Sequence, residues 1–267
     1  MFLLVTLTLA AACSSHRPLA VTYIANEGVM VATGSHRILI DALFDAPNPA
    51  YAAPPPELLE RLIRGEAPFD DIVLCLVTHN HPDHFRASVA ERFLLGTPRA
   101  MLIAPVDVVE VLRDSAAQWA AFENRVKSVD LRVGERVTHQ FAGVRVHAFR
   151  TLHSGGRDSP MNLMYLIEVD RRLVFHEGDS NADPGLFRTV VQDGRTIDLA
   201  LVHYWFPFVD VGTHIVNEVL RPMHVGLIHL PIEQEQVYLE RSDSLDGRFH
   251  LFTEPGEEWE LQVAECE

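Results

Sequence analysis

The sequence predicts an α/β fold of four layers, in which two sheets pack face to face and helices cover their outer faces. Strand-like apolar runs alternate with short amphipathic helices at both ends of the chain, and residues 126–176 between them hold four or five strand candidates. Two β-rich halves with helices outside each form an αββα sandwich, because each sheet then buries both of its faces. The 267 residues show no repeat or charge block that would divide them, so we expect a single domain.

The elements of the first half follow from apolar periodicity. The run VTYIANEGVMVATGSHRILID predicts a hairpin that turns near Gly34-Ser35 and ends at Asp41. An amphipathic helix, PELLERLIRG, is followed by the strand DIVLCLVTH, whose residues are apolar on both faces. A helix over Ala87–Leu95, the strand AMLIAP and a helix from about Val106 to Glu123 complete this half. The proline-rich segment from Pro47 to Glu57 predicts a surface loop near the functional site.

In the second half of the chain, strands and helices alternate again after a strand-rich start. VRVHAFRTLH, NLMYLIEV and RLVFH predict strands, and so do IDLALVHY and HVGLIHLP. The segments DPGLFRTVV and HIVNEVLRP predict helices between them, and a last helix is expected to begin near Glu233.

The N-terminal segment MFLLVTLTLAAAC has the composition of an export signal. Its apolar run is too short to span a bilayer, and small residues lead to Cys13, as at a bacterial lipoprotein cleavage site. We therefore expect residues 1–13 to be a signal peptide ending at a lipidated Cys13 and residues 14–267 to be the mature domain in the periplasm or cell envelope. The alternative is a buried first strand in a cytoplasmic protein.

The charge balance bears on the partners of this chain. Acidic residues outnumber basic ones by 37 to 22, which gives a net charge of −15. Such a surface repels phosphate backbones, so nucleic acid is not an expected partner. We expect a small-molecule substrate, with a membrane contact only through a lipid anchor at Cys13. The sequence does not indicate an oligomeric state.

The segment THNHPDHF carries the chemistry of the chain. It places His79, His81, Asp83 and His84 directly after an apolar strand. Residues two apart in extended chain point the same way, so His79 and His81 can face one target, and Pro82 favours that extended backbone. The chain then turns, so Asp83 and His84 can face a second point nearby. Imidazole and carboxylate together are ligands for Zn²⁺, Mn²⁺ or Fe.

THNHPDH resembles the signature of the metallo-β-lactamase fold superfamily, and later segments follow in that family's order. RTLHSG offers His153, FHEGDS offers Asp179, and GLIHLP offers His229, each just past an apolar strand. Asp41, which closes RILID, matches an early aspartate of the family. The spacing is most similar to the branch of ascorbate-phosphate lactonases and N-acyl-phosphatidylethanolamine phospholipase D.

The resemblance implies a four-layer αββα sandwich of the metallo-β-lactamase type with two divalent metal ions, of which zinc is expected first and manganese or iron are possible. One ion would be bound by His79, His81 and His153, and the other by Asp83, His84 and His229, with Asp179 bridging. Asp83 and Asp179 would also serve catalysis. Four further residues are expected to support the metals or to line the pocket: Asp41, His176, His203 and Tyr204.

A pair of divalent ions can hold a bridging hydroxide, so we expect a dinuclear hydrolase acting on a small anionic ester, phosphodiester or lactone. Two ions, two aspartates and one hydroxide leave a charge of about +1, which favours an anionic substrate. The alternatives are a lipid-anchored binding protein without turnover and an iron-dependent redox member of the fold. The HxHxDH segment carries Asp83 and His84, and no cysteine is suitably placed for the second metal site as in the lactamase branch, so we do not expect β-lactamase activity.

Overall fold

The computed structural model describes residues 19–45, 48–156, 159–191 and 194–261. The predicted signal peptide and Cys13 lie outside these residues. In the described part, no helix is both long and apolar enough to cross a membrane.

Two seven-stranded sheets form the centre of the molecule. The strands of the first sheet are β1 (Leu19–Ala25), β2 (Gly28–Ala32), β3 (Arg37–Ile40), β4 (Ile72–Leu76), β5 (Met101–Pro105), β6 (Val126–Val129) and β14 (Glu258–Leu261). Their spatial order is β14-β1-β2-β3-β4-β5-β6, with β3 to β6 parallel.

The second sheet is built from the later strands. They are β7 (Arg136–Phe141), β8 (Val144–Thr151), β9 (Asn162–Val169), β10 (Arg172–His176), β11 (Leu199–His203), β12 (His224–Ile228) and β13 (Phe249–Leu251). They lie in the order β13-β12-β11-β10-β9-β8-β7, and β10 to β13 are parallel. Since the parallel strands of each sheet end on one edge, residues just past those ends can meet there.

Helices cover the outer face of each sheet. The α-helices are α1 (Pro56–Arg64), α2 (Ala87–Gly96), α3 (Val106–Ser115), α4 (Pro184–Arg188), α5 (Asp210–His214) and α6 (Glu235–Ser242). One apolar core lies between the sheets, a second packs α1 to α3 against the first sheet, and a third lies outside the second sheet. The predicted four-layer αββα sandwich is therefore confirmed.

Two predicted elements differ from the structure. The expected long helix from Val106 ends at Ser115, and two short 3₁₀ turns continue the chain to Arg125. The expected hairpin over residues 21–41 is a three-stranded meander, because the chain also turns at Asn26-Glu27 between β1 and β2. The apolar residues on both sides of this turn are typical of one continuous strand, so the sequence pattern does not indicate the turn.

The turn at Asn26-Glu27 depends on special backbone positions. Asn26 adopts a left-handed conformation with φ of 54°. A Cβ at Gly28 would lie 2.8 Å from the carbonyl oxygen of Asp41 and 2.9 Å from that of Ala25. Glycine at position 28 therefore lets the turn pack closely against the loop that follows β3.

Candidate metal centre

The seven residues that the resemblance implies as metal ligands all lie at one rim of the sandwich. Asp41 and His79 follow the ends of β3 and β4, while His153, Asp179 and His229 follow β8, β10 and β12. Two main-chain hydrogen bonds join the sheets here: Leu163 N–H donates to the Thr78 carbonyl (3.0 Å), and His229 N–H donates to the Asn26 carbonyl (3.0 Å). The sheets are therefore fixed to each other beside the metal loop.

The first group of donor atoms is compact. His79, His81, His153 and Asp179 each offer a ligand atom, and these atoms lie within 4.8 Å of one another. His79 Nε2 lies 2.9 Å from His81 Nδ1, and His153 Nε2 lies 2.8 Å from Asp179 Oδ2. His153 Nε2 is buried and lacks an aligned hydrogen-bond partner. This set has the donors and the crowding of a site for a divalent cation.

The second group adjoins the first one. Asp83, His84 and His229 also bring donor atoms within 4.8 Å of one another. His84 Nε2 is buried without a hydrogen-bond partner, while its Nδ1 lies 3.1 Å from Asp41 Oδ2. One ring nitrogen is therefore held by a carboxylate and the other is open, which is how metal-binding histidines are usually oriented.

Burial favours the neutral form of some of these histidines, which is the form that binds metal. Burial lowers the pKa of His79 and that of His229 well below the usual range, and neighbouring histidines act in the same direction. Burial alone would also lower the pKa of His84, but its hydrogen bond to Asp41 and the nearby carboxylates raise it to about 9. For Asp179, burial is outweighed by His153 and His203, which hold the carboxyl pKa well below its usual range.

Three of the four predicted supporting residues are buried within the cluster. Asp41 accepts hydrogen bonds from Thr78 and His84. His176 contacts the carbonyl oxygen of Glu27 through Nε2 (3.2 Å) and accepts from Gly178 N–H at Nδ1 (3.0 Å), so both of its nitrogens are used. His203 is 3% exposed, and its Nε2 lies 3.0 Å from Asp179 Oδ1. The Tyr204 hydroxyl instead donates to Gln234 in an exposed position (3.0 Å).

Sequence reasoning missed two glutamates and a tyrosine. Glu27 and Glu177 are fully buried beside the predicted ligands, and burial raises the pKa of both carboxyl groups. Tyr51, in the proline-rich loop, makes an edge-to-face contact with the His229 imidazole (4.2 Å between ring centroids), so that loop lies at the site as predicted. The one signal for Glu27 was the polar pair Asn26-Glu27 before a glycine, inside an otherwise apolar run.

These acids change the charge expected at the centre. The sequence-based charge of about +1 included only Asp83 and Asp179 among the carboxylates. The structure adds Glu27, Asp41 and Glu177 to the same buried cluster. Each of these carboxylates that is ionised removes one positive charge from that sum, whereas burial, which raises the pKa of Glu27 and Glu177, favours their neutral forms. The anionic substrate expected from the sequence stays a prediction.

The donor set fits a pair of cations. The described residues leave four buried atoms of the cluster without a hydrogen-bond partner: both carboxylate oxygens of Glu27, one of Glu177, and Nε2 of His84. Leaving such groups bare costs on the order of 1–3 kcal/mol each, and more for charged ones. Cations at the centre would remove this cost.

Comparisons with known proteins agree with this fold. The family model of the β-lactamase superfamily domain matches residues 36–235. The UPF0173 metal-dependent hydrolase TTHA1283 of Thermus thermophilus is 27% identical over 256 residues, covering 89% of this chain and 96% of that protein.

Solved structures show the same architecture at low sequence identity. Igni18, described as a novel metallo hydrolase from the archaeon Ignicoccus hospitalis, superposes with a TM-score of 0.62 at 16% identity, covering 92% of this chain and 100% of that one. The metallo-β-lactamase fold protein YhfI from Bacillus subtilis superposes with a TM-score of 0.60 at 14% identity, covering 91% and 99%.

Proposed function

This chain belongs to the β-lactamase superfamily domain family, and we propose that it is a dinuclear metal-dependent hydrolase of a small ester or lactone. The broader statement, a metal-dependent hydrolase of the metallo-β-lactamase fold, also describes its relatives. The observation that carries the dinuclear proposal is the pair of adjoining donor groups around Asp179 and His229.

The residues divide between two ions. His79, His81 and His153 would hold one of them, and Asp83, His84 and His229 the other, with Asp179 between the two groups. Two adjacent divalent ions, when bound, activate water as a nucleophile and polarise the substrate oxygen. Zinc suits this donor set, and manganese or iron suit it as well.

The chain's own residues hold the donors in place. Asp41 fixes Thr78 and His84, and therefore orients both parts of the metal loop. Ser154 donates from its hydroxyl to Asp179 Oδ1 (2.8 Å), which orients that carboxylate. Backbone strain supports this placement: Asp41 and His229 have φ of 47° and 62°, conformations that cost energy and cluster at functional sites.

The walls of the site favour a substrate with an apolar group. Those carboxylates of the cluster that are ionised offset part of the charge of two ions, which weakens the attraction of an anion. Tyr51 packs on His229, and Trp205 stacks on His203 with 5.8 Å between ring centroids. Two partly buried aromatic rings therefore lie beside the donor atoms. Such rings suit an acyl or aromatic substituent. We therefore propose a carboxylic ester or lactone over a phosphodiester.

Metal analysis combined with a substrate panel tests the proposal. Purified protein is expected to bind two ions per chain and to hydrolyse chromogenic esters or lactones faster than phosphodiesters. His81→Ala removes a ligand of the first ion and is expected to reduce turnover to background. The surface variant His214→Ala serves as a control. Full metal content without turnover on any substrate would instead support a binding protein.

A β-lactam gives a second test. The metal loop offers Asp83 and His84, and the buried free thiol, Cys75, lies in β4 before that loop. We propose that metal-loaded protein hydrolyses nitrocefin no faster than the His81→Ala variant does. Rapid nitrocefin turnover that depends on His81 would contradict this.

A further inference from the structure

A buried glutamate faces the metal centre without a partner. Glu27 lies in the turn between β1 and β2 and is 0% exposed, and neither of its carboxylate oxygens has a hydrogen-bond partner among the described residues. Its nearest ring nitrogens are His203 Nε2 at 3.4 Å from Oε1 and His84 Nδ1 at 3.6 Å from Oε2. An ionised carboxylate in this setting is costly unless a cation lies beside it, and the alternative is uptake of a proton.

The turn holds this carboxylate in place. His176 Nε2 contacts the Glu27 carbonyl oxygen (3.2 Å), and the Asn26 side chain donates to the Asp83 carbonyl (3.1 Å). Gly28 allows no side chain on the other flank. Glu27 is therefore fixed to the metal loop on one side and to the second sheet on the other, and has little freedom to turn away from the centre.

His203 is oriented as a metal ligand would be. The Glu177 carboxylate accepts from His203 N–H (2.6 Å) through Oε1, and the same oxygen lies 2.7 Å from His203 Nδ1. The acceptor at Nδ1 holds a ring hydrogen there, and Nε2 faces the Asp179 and Glu27 carboxylates, so Nε2 would present a lone pair to a cation bound between them. Carboxylates on the outer nitrogen commonly orient and strengthen a ligating imidazole.

The donor atoms are spaced for a shared ion. Glu27, Asp179, His203 and His229 each offer an atom, and these atoms lie within 4.8 Å of one another. His203 Nε2 lies 3.0 Å from Asp179 Oδ1 and 3.4 Å from Glu27 Oε1. Ligands about 2.1 Å from one ion are separated by roughly 3.0 Å at a right angle and roughly 3.4 Å at a tetrahedral angle.

We propose that Glu27 and His203 are ligands of the second metal ion, together with Asp179 and His229. This inference rests on the proposed dinuclear function and adds two residues to the ligand set that the resemblance implies. With these additions the second site holds three carboxylates and three imidazoles: Glu27, Asp83, Asp179, His84, His203 and His229. These make a harder site than the three histidines and one aspartate of the first group. The second ion is therefore Mn²⁺ or Fe²⁺ more readily than the first one is.

Titration of apo protein with Mn²⁺ tests the ligand role, with bound metal measured by equilibrium dialysis and elemental analysis. The wild-type chain is expected to bind two ions. Glu27→Gln and His203→Gln are expected to retain the first ion and to bind the second at least about 100-fold more weakly, since even residues behind the ligands cost 10- to 100-fold. Unchanged affinity for the second ion in both variants would overturn the proposal.

Glu257→Gln is the matched control. Glu257 also contacts a histidine (2.7 Å from Oε1 to His250 Nε2), and both of these residues lie outside the metal cluster. This variant is expected to bind two ions with wild-type affinity. If the wild-type chain bound no ion at all, the proposed function would fail together with this inference. If the wild-type chain bound two ions and Glu27→Gln and His203→Gln bound both with the same affinity, this inference alone would fail.

A crystal of Mn²⁺-loaded wild-type protein gives a test that no folding defect can affect. The anomalous signal of the second ion is expected at bonding distance, about 2.2 Å, from a Glu27 oxygen and from His203 Nε2. A second peak bonded to Asp83 and His84, and out of reach of both Glu27 and His203, would overturn the proposal.

Discussion

Thr78 donates twice to the Asp41 carboxylate, from its backbone N–H to Oδ1 (2.7 Å) and from its hydroxyl to Oδ2 (2.5 Å). Asp41 Oδ2 also lies 3.1 Å from His84 Nδ1. One buried carboxylate at the end of β3 therefore orients the first residue of the metal loop and one of its predicted ligands.

Replacing Asp41 by asparagine is expected to weaken metal binding. An amide has only one acceptor oxygen, so one of the Thr78 or His84 donors loses its partner. We expect metal affinity to fall 10- to 100-fold, as measured by competition with a chromogenic chelator. Asp198→Asn is the control, because Asp198 also accepts from a buried backbone N–H, that of Leu173 (2.8 Å), away from the metal centre. Equal metal affinity in the two variants would contradict the role of Asp41.

Removal of metal is expected to lower the thermal stability. Ions that bind only the folded chain stabilise it by about 2.7 kcal/mol at a concentration 100 times their dissociation constant. For a domain of this size, that corresponds to a rise in Tm on the order of 5–10 °C. Chelation followed by return of Zn²⁺ or Mn²⁺, monitored by circular dichroism, measures the shift. His79→Ala is expected to abolish most of it, and a full shift in that variant would argue against His79 as a ligand.

Alanine at Gly28 is expected to destabilise the fold and displace Glu27. Its Cβ would lie under 3 Å from two carbonyl oxygens, so the turn or the loop after β3 must move. We expect a loss of about 2 kcal/mol in the free energy of unfolding, together with weaker binding of the second ion. Gly247→Ala is the control, since a Cβ there meets nothing within 4 Å. Urea unfolding of both variants measures the difference, and equal stability would contradict close packing at Gly28.

Glu168 is expected to make the stability of the apo protein depend on pH. Burial alone would raise its pKa, but hydrogen bonds from Arg195 and His147 and the charge of Arg145 hold the pKa below the usual 4.5. A lowered folded-state pKa means that this contribution is present above pH 4.5 and is lost as pH falls through the folded-state value. Glu168→Gln is therefore expected to be about 1 kcal/mol less stable at pH 7 and to match wild type in strong acid. A difference independent of pH would contradict this.

Much of the molecule could be predicted from local sequence signals. The apolar runs before His79, His153, Asp179 and His229 are the strands β4, β8, β10 and β12, and the structure places all four residues at one rim. The helix after Val106 was predicted too long because amphipathic periodicity continues past Ser115, where the chain changes to 3₁₀ turns. Periodicity does not distinguish a helix from such turns.

Glu27 and Glu177 could not be assigned to the site from sequence. Glu27 lies inside an apolar run and Glu177 lies beside a motif. A single acidic residue at such a position forms no repeated spacing that would identify its partner. His203 ends an apolar strand, but only its contacts with Glu177 and Asp179 distinguish it from a packed core histidine.

The sequence by itself predicted the sandwich from its hydrophobic period and the seven ligands from the resemblance of its motifs to a known family, because period and motif are local properties of the chain. Only the tertiary structure decided which further residues surround the centre. Glu27 on the first sheet and His203 on the second are 3.4 Å apart in space but 176 positions apart in the chain. That proximity depends on how the two sheets dock, and no local pattern encodes it.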